Sequence, residues 1–301
     1  MLAGVRPLAV VAALSLLAGC GSSGAGAEVV ATTTQVADLA RVVAGTRAEV
    51  HAILRPNSDP HEYEPRPSDA RALAAAKLVL SSGGEVDDWL GDLVGAAGGG
   101  ARTVTLEDAV SRRGDDPHWW QDPHNAMRAV AVIRDALSSV DPAGRATYAR
   151  NAARYERRLA RLDRGIARCI DEIPPGRRKL VTTHDALGYY ARRYGLEVVG
   201  ALIPSLSTQA QPSARETERL VDQVRREHVP AIFPESALNP KLERAVSREA
   251  NARVGGALWA DSLGPPGSGG ATYLQAMASN TETIVEGLSG RRCRPGTRRA
   301  G

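Results

Sequence analysis

Short runs rich in β-branched residues recur along the chain at 28–33, 49–54, 78–81, 103–106, 179–183, 197–202, 231–233 and 256–260. Between most of them lie stretches whose apolar positions repeat every three or four residues, at 36–44, 70–76, 86–94, 186–194, 213–226 and 242–250. The first pattern predicts strands, and the second predicts helices that bury one face. Strands that alternate with helices form parallel sheet through right-handed crossovers. The alternation stops once. From Pro123 to Ile173 there is no strand pattern, only helix formers with arginine and glutamate spaced for a solvated face. Within this region Asp141 is placed to cap a helix that starts at Pro142, and Pro174-Pro175-Gly176 ends it. A helix over 142–172 would be about 45 Å long, longer than a small lobe is wide. The predicted fold is α/β with two lobes, 28–140 and 174–290, each a mostly parallel four-stranded sheet flanked by helices. One long linking helix, 141–173, joins them, and 291–301 is a basic tail.

Composition narrows the class. With 43% hydrophobic and 24% charged residues among 301, the chain has the makings of packed cores and not of disorder, collagen or coiled coil. The net charge of +4 is concentrated at the end: Arg291, Arg292, Arg294, Arg298 and Arg299 all fall in the tail, and the rest is close to neutral. No nucleic-acid partner is expected. The first residues read as a targeting segment. Arg6 precedes an apolar run at 8–17 that is too short to span a bilayer, and Leu17-Ala18-Gly19-Cys20 resembles the bacterial lipobox. On that reading 1–19 is a lipoprotein signal peptide, Cys20 is lipidated, and 20–27 is a Gly/Ser tether. The mature protein is then held at the cell membrane, on its extracytoplasmic face, by a lipid anchor. That compartment is oxidising, and with Cys20 lipidated the two remaining cysteines, Cys169 and Cys293, are expected to pair in a disulfide.

The candidate chemistry lies in the histidines. There are six, and three follow the dipeptide Asp-Pro, at 59–61, 116–118 and 122–124. Proline fixes its own φ and extends the residue before it, so a histidine after it is presented from a stiff loop. His61 follows the strand at 49–54, His118 the strand at 103–106, His184 the strand at 179–183, and Asp261 the strand at 256–260. Ligands in open α/β sheets bind beyond the carboxyl ends of the strands. Three imidazoles and a carboxylate, two per lobe, therefore make a site for a first-row divalent metal. Asp59, Asp116 and Glu235 are candidates to hold these side chains from behind. His51, inside a strand, and His228, in a loop before Pro230, read as structural. His124 opens a helix and is set aside as a ligand.

These residues sit in segments that resemble one family. Asp59-Pro60-His61-Glu62-Tyr63-Glu64-Pro65, Asp116-Pro117-His118-Trp119-Trp120-Gln121-Asp122-Pro123, Val181-Thr182-Thr183-His184-Asp185-Ala186-Leu187-Gly188-Tyr189, Phe233-Pro234-Glu235-Ser236-Ala237-Leu238-Asn239-Pro240-Lys241 and Asp261-Ser262-Leu263-Gly264 look like the motifs of the zinc/manganese solute-binding proteins of bacterial ABC importers, the ZnuA/TroA-like family. The resemblance implies a metal in the interlobe cleft with His61, His118, His184 and Asp261 as its ligands. It also implies a membrane permease as partner, a monomer, and no enzymatic activity. Leu187 stands where the family usually has Phe. Manganese members usually carry Glu in place of the third His, so His184 points to Zn²⁺, with Mn²⁺ the alternative. The histidine-rich loop of many zinc importers is missing from 107–117.

Two other classes compete. An extracytoplasmic zinc-dependent hydrolase would use Glu235 as base, but no H-E-x-x-H pair occurs. An adhesin-type surface lipoprotein is the third class. On the transport reading, the stiff linking helix predicts little lobe rotation, with metal release through movement of 261–270. Protons are expected to compete with the metal as pH drops through the histidine range near 6.5.

Overall fold

The computed structural model describes residues 28–296. The expected signal peptide, the Cys20 lipidation site, the tether, and tail residues 297–301 lie outside the described residues.

The first lobe is built on a four-stranded parallel sheet in the order β2-β1-β3-β4, with β1 Glu28–Ala31, β2 Glu49–Ala52, β3 Leu78–Ser81 and β4 Arg102–Thr105. Every residue of β3 is buried, as expected for a central strand covered on both faces. Helices α1 (Thr34–Ala44), α2 (Pro67–Ala75) and α3 (Leu90–Ala97) provide the covering layers. Thr33 caps α1 through its hydroxyl, and Val36, Leu39, Ala40 and Val43 form its buried stripe.

The strandless region holds two helices, α4 (Pro123–Val140) and α5 (Arg145–Asp171). Asp122 caps α4 by accepting the His124 N–H at 2.8 Å, with Pro123 in the first turn. The linking helix starts later than 142. Pro142–Gly144 is a single 3₁₀ turn, because Asp141 does not cap it. Its carboxylate instead accepts two bonds from Arg47, at 2.6 and 2.9 Å, and one from the Tyr148 hydroxyl at 2.6 Å. The 27 residues of α5 span about 40 Å. Tyr148, Ala152, Tyr155, Leu159, Leu162, Ile166 and Cys169 form its buried stripe, against α1, α4 and α9 (Tyr273–Ser289).

The second lobe differs from expectation. Parallel pairs β5–β6 (Lys179–His184, Glu197–Ile203) and β7–β8 (Ala231–Ile232, Arg253–Val254) are joined only by a bridge between Thr182 and Phe233. Pro230 and Pro234 flank β7 and supply no N–H, which keeps it short. The strand expected at 256–260 reduces to one bridge, Leu258 to Glu235. The Asn280 side chain takes both backbone groups of Trp259, at 2.8 and 2.9 Å, so no ladder can continue there. Helices α6 (Gly188–Tyr194), α7 (Ala214–Arg226) and α8 (Lys241–Ala250) complete the lobe.

The Cys169 and Cys293 sulfurs are 1.93 Å apart, with Cα atoms 5.6 Å apart. The tail crosses α5 beside this bond. At Gly165 a Cβ would lie 1.7 Å from the Pro295 carbonyl oxygen, so only glycine permits the crossing. No helix among the described residues is long and apolar enough to cross a membrane.

Candidate metal centre

Four strand ends converge on one buried point. His61 lies in the loop after β2, His118 in the loop after β4, His184 at the last position of β5, and Asp261 just past the Leu258 bridge. All four are buried, and one ligand atom from each lies within 4.8 Å of the others. Asp261 is the hub. Its Oδ2 is 3.2 Å from His61 Nε2 and 2.9 Å from His184 Nε2, and its Oδ1 is 3.3 Å from His118 Nε2. The Nε2 atoms of His118 and His184 are 3.4 Å apart. Four atoms about 2.0–2.2 Å from a tetrahedral centre would stand about 3.3–3.6 Å from one another. The cluster needs little contraction to meet that geometry.

What lies behind the imidazoles fixes their chemistry. Each Nδ1 faces a carboxylate: Asp116 at 2.8 Å for His118, Glu235 at 3.1 Å for His184, and Glu85 at 3.2 Å for His61. A carboxylate holds the proton on Nδ1 and turns the Nε2 lone pair inward. In the neutral ligands three lone pairs and two carboxylate oxygens then face the same small space. Acceptors facing acceptors repel unless a cation lies between them, and His61 Nε2 and both Asp261 oxygens are buried with no other hydrogen-bond partner. The donor set therefore fits a divalent metal.

Asp116 and Glu235 stand where the sequence places support for the ligands, but Asp59 does not reach an imidazole ring. Its Oδ1 accepts the His61 backbone N–H at 2.9 Å, and its Oδ2 accepts the Thr208 hydroxyl of the opposite lobe at 2.7 Å. It braces the loop, while Glu85 stands behind the ring. The sequence reading missed Glu85. It follows Gly83 and Gly84 at the end of β3, and applying the strand-end rule to that strand would have found it. Both glycines have positive φ, and a Cβ on Gly83 would lie 2.6 Å from the Glu107 Cβ. His124 is outside the cluster, half-exposed against Arg193 and Asp163. His51 and His228 are exposed and also outside it.

Segment 261–270 is not the loose side of the site. The Asp261 N–H donates to Glu235, and the Ala260 carbonyl accepts from Trp120 and Gln121 of the first lobe, each at 2.8 Å. Leu263 donates to Thr34 at 2.9 Å and accepts from Asn57 at 3.0 Å. The less enclosed side is His61, whose supporting Glu85 side chain is 42% exposed. Glu85→Gln, Asp116→Asn and Glu235→Gln are each expected to weaken metal binding about 10- to 100-fold. Chelator competition will measure this, and Glu85→Gln should cost the least.

Without metal, protons must hold the cluster together. Burial disfavours a charged His118, but the Asp261 charge and the Asp116 hydrogen bond outweigh it and push its pKa up to about 9. Burial is likewise overcome for His184 by Asp261 and Glu235, which raise its pKa well above the usual value. Burial alone would raise the Asp261 pKa, yet the two imidazoliums hold it well below the usual carboxylate range. A rise for His118 from 6.5 to about 9 corresponds to roughly 3 kcal/mol. That stabilisation of the metal-free protein is complete below about 6.5 and is lost as pH rises through about 9. The Asp261 contribution is present at ordinary pH and disappears only when pH falls through its depressed pKa. The melting temperature of metal-free protein should thus drop between pH 6.5 and 9, and that of metal-loaded protein should not. A metal-free protein as stable at the upper end as at the lower contradicts this. Proton competition with the metal accordingly sets in higher than the ordinary histidine range, below about pH 9.

A family model described as zinc-uptake complex component A, periplasmic (ZnuA), matches residues 29–287. The chain belongs to this family. Within it, the chain is 32% identical over 286 residues to the manganese-binding lipoprotein MntA of Halalkalibacterium halodurans, covering 91% of this chain and 95% of that protein. It is 29% identical over 283 residues to the manganese ABC transporter substrate-binding lipoprotein PsaA of Streptococcus pneumoniae, covering 89% and 91%. Among solved structures, the periplasmic zinc binding protein TroA from Treponema pallidum superposes with a TM-score of 0.81 at 27% identity, covering 87% of this chain and 99% of that one. The Mn-bound periplasmic metal binding protein from Candidatus Liberibacter asiaticus gives 0.79 at 26% identity over the same shares. This ZnuA-family chain has the α/β architecture of parallel sheets flanked by helices that its structural neighbours share.

Proposed function

We propose that this chain captures a divalent transition metal outside the cytoplasm and delivers it to the membrane permease of an ABC importer. The observation that carries the reading is the convergence of His61, His118, His184 and Asp261, with their acceptor atoms turned to one buried point and a carboxylate behind each imidazole. The metal is the cargo. Lobes 28–140 and 174–290 flank it on either side of the linking helix and contribute two ligands each. The protein works as a monomer, tethered through lipidated Cys20 to the extracytoplasmic face of the cell membrane. The names of MntA and PsaA supply the link to lipoproteins, and that of PsaA the link to ABC transport.

Zinc is the favoured cargo and manganese the alternative. Three nitrogens and one carboxylate suit Zn²⁺, whereas Mn²⁺ prefers a larger share of oxygen. MntA and PsaA are named for manganese and TroA for zinc, so the family likeness alone does not choose. Elemental analysis of protein taken from its native envelope without added metal decides between them. Zinc at one equivalent supports the first reading, and manganese at one equivalent replaces it. His124→Ala should bind metal like the parent, because that ring stands outside the cluster. Loss of binding in that variant would mean that the Asp-Pro-His copy at 122–124 supplies the ligand in place of the copy at 116–118. The hydrolase reading loses ground because Glu235 is committed: Oε1 accepts the Asp261 N–H and Oε2 faces His184 Nδ1, each at 3.1 Å. Neither oxygen is left to activate water.

A further inference from the structure

We propose that the outer face of α5 is a docking surface for anionic lipid headgroups, which lays the molecule lengthwise along the bilayer. Arg150, Arg154, Arg157, Arg161, Arg164 and Arg168 are spaced alternately four and three residues apart, so they form one stripe along the helix. All six are exposed, on the side opposite the buried stripe from Tyr148 to Cys169. The stripe is about 27 Å long. Apart from Arg145, Arg158 and the terminal Asp171, the other exposed positions of α5 are short, namely Ala146, Ala149, Ala153 and Ala167, so on this face the guanidinium groups protrude farthest.

The sequence pattern reads as a solvated face of mixed charge, but the structure supplies no counter-charge. Arg150 bonds to the Thr147 hydroxyl, Arg154 to the Asn151 side chain, and Arg168 to the Arg164 carbonyl. None of the six forms an ion pair with a carboxylate among the described residues, and the three acidic residues of α5 are engaged elsewhere: Glu156 is half-buried, with its charge acting on Arg134. Asp163 is buried against Arg193 and Tyr194, and Asp171 pairs with Arg178. At the C-terminal end the Cys169–Cys293 bond sets exposed Arg292, itself 3.8 Å from Glu286, near Arg168, where Asp171 and Glu172 close the track.

Geometry and chain length favour a membrane as the occupant. A cylinder meets a plane along one line, and a single file of arginines on a helix presents charge along that line. The expected anchor at Cys20 precedes β1 by eight residues, which reach at most about 28 Å. The tether leaves from the end of the first lobe where α5 begins: Glu28 pairs with Glu49, and Arg47 just ahead of it binds Asp141 at the foot of α5. The stripe is therefore held close to the bilayer from its first turn, and each arginine at an anionic surface adds attraction.

The test uses the unlipidated chain from Gly21 onward, which contains every described residue, on vesicles of phosphatidylglycerol mixed with phosphatidylcholine. It should sediment with these vesicles at low salt, be released at high salt, and ignore pure phosphatidylcholine. The combined variant R157Q/R161Q/R164Q should bind roughly a hundredfold more weakly. R157K/R161K/R164K should retain binding, and both variants should take up Zn²⁺ like the parent, since no metal ligand is touched. Equal vesicle binding by parent and Gln variant overturns the proposal. So does binding of the parent to soluble polyphosphate but not to vesicles, which would assign the stripe to a linear polyanion.

Discussion

Asp261→Ala is expected to lower Zn²⁺ affinity by roughly a thousandfold and also to flatten its dependence on pH. Asp261 supplies the only negative charge among the four converging groups, and its two oxygens face all three Nε2 atoms. Without it, a dication in a buried site would have only neutral imidazoles around it. Breaking one side of a buried charged pair costs about 3–5 kcal/mol, which corresponds to that loss of affinity. The effect on pH has a separate cause. Asp261 is the chief group that raises the His118 and His184 pKa values against their burial. Once it is gone, only Asp116 and Glu235 still oppose the burial of His118 and His184, so both pKa values fall and proton competition weakens. Titrations at several pH values, with chelator competition, measure both effects. An affinity within tenfold of the parent would show that Asp261 is not a ligand. A large loss with unchanged pH dependence would show that other groups govern the protons.

The strand-end rule made much of this site legible. His61, His118, His184 and Asp261 each follow a strand-like run, and the folded chain brings those four ends to one point. Asp-Pro-His also carried more than stiffness. At both 59–61 and 116–118 the aspartate accepts the histidine backbone N–H, a local turn that the tripeptide itself encodes. At 122–124 the same turn is present, with Asp122 accepting the His124 N–H, but there it starts a helix and points the ring outward. The tripeptide thus specifies a backbone shape, and the next element decides whether the ring becomes a ligand. Glu85 follows the end of β3 and so falls under the same rule, but its pairing with His61 was not legible, because that residue is 24 positions back in sequence and meets it only through the pairing of β1 with β2 and β3. The second lobe was read less well for a related reason. The apolar run at 256–260 has strand composition, but Asn280, on a helix beyond it, takes the hydrogen bonds that a ladder would need. Long-range side-chain bonds of this kind leave no trace in local periodicity.

Replacing Cys169 and Cys293 together by serine is expected to have the largest effect on stability. The bond between them spans 124 positions and encloses the second lobe, from the end of α5 to the end of α9. Closing a loop of that length removes enough freedom from the unfolded chain to stabilise the fold by about 5 kcal/mol in the chain-entropy model. The cysteines also hold a particular contact. Cys169 is fully buried on α5, and the tail that carries Cys293 crosses the same helix at Gly165, where the Pro295 carbonyl fills the space of a side chain. Opening the bond frees that tail and leaves small-residue surface on α5 uncovered. The four converging side chains are borne on other segments, so the double variant should keep its Zn²⁺ affinity while it melts at a markedly lower denaturant concentration, with Zn²⁺ recovering part of the loss by mass action. Thiol titration of the unfolded, unreduced parent is the necessary companion measurement. Two free thiols there would mean that the cysteines are not paired, and equal stability of parent and variant would mean that the pairing constrains little.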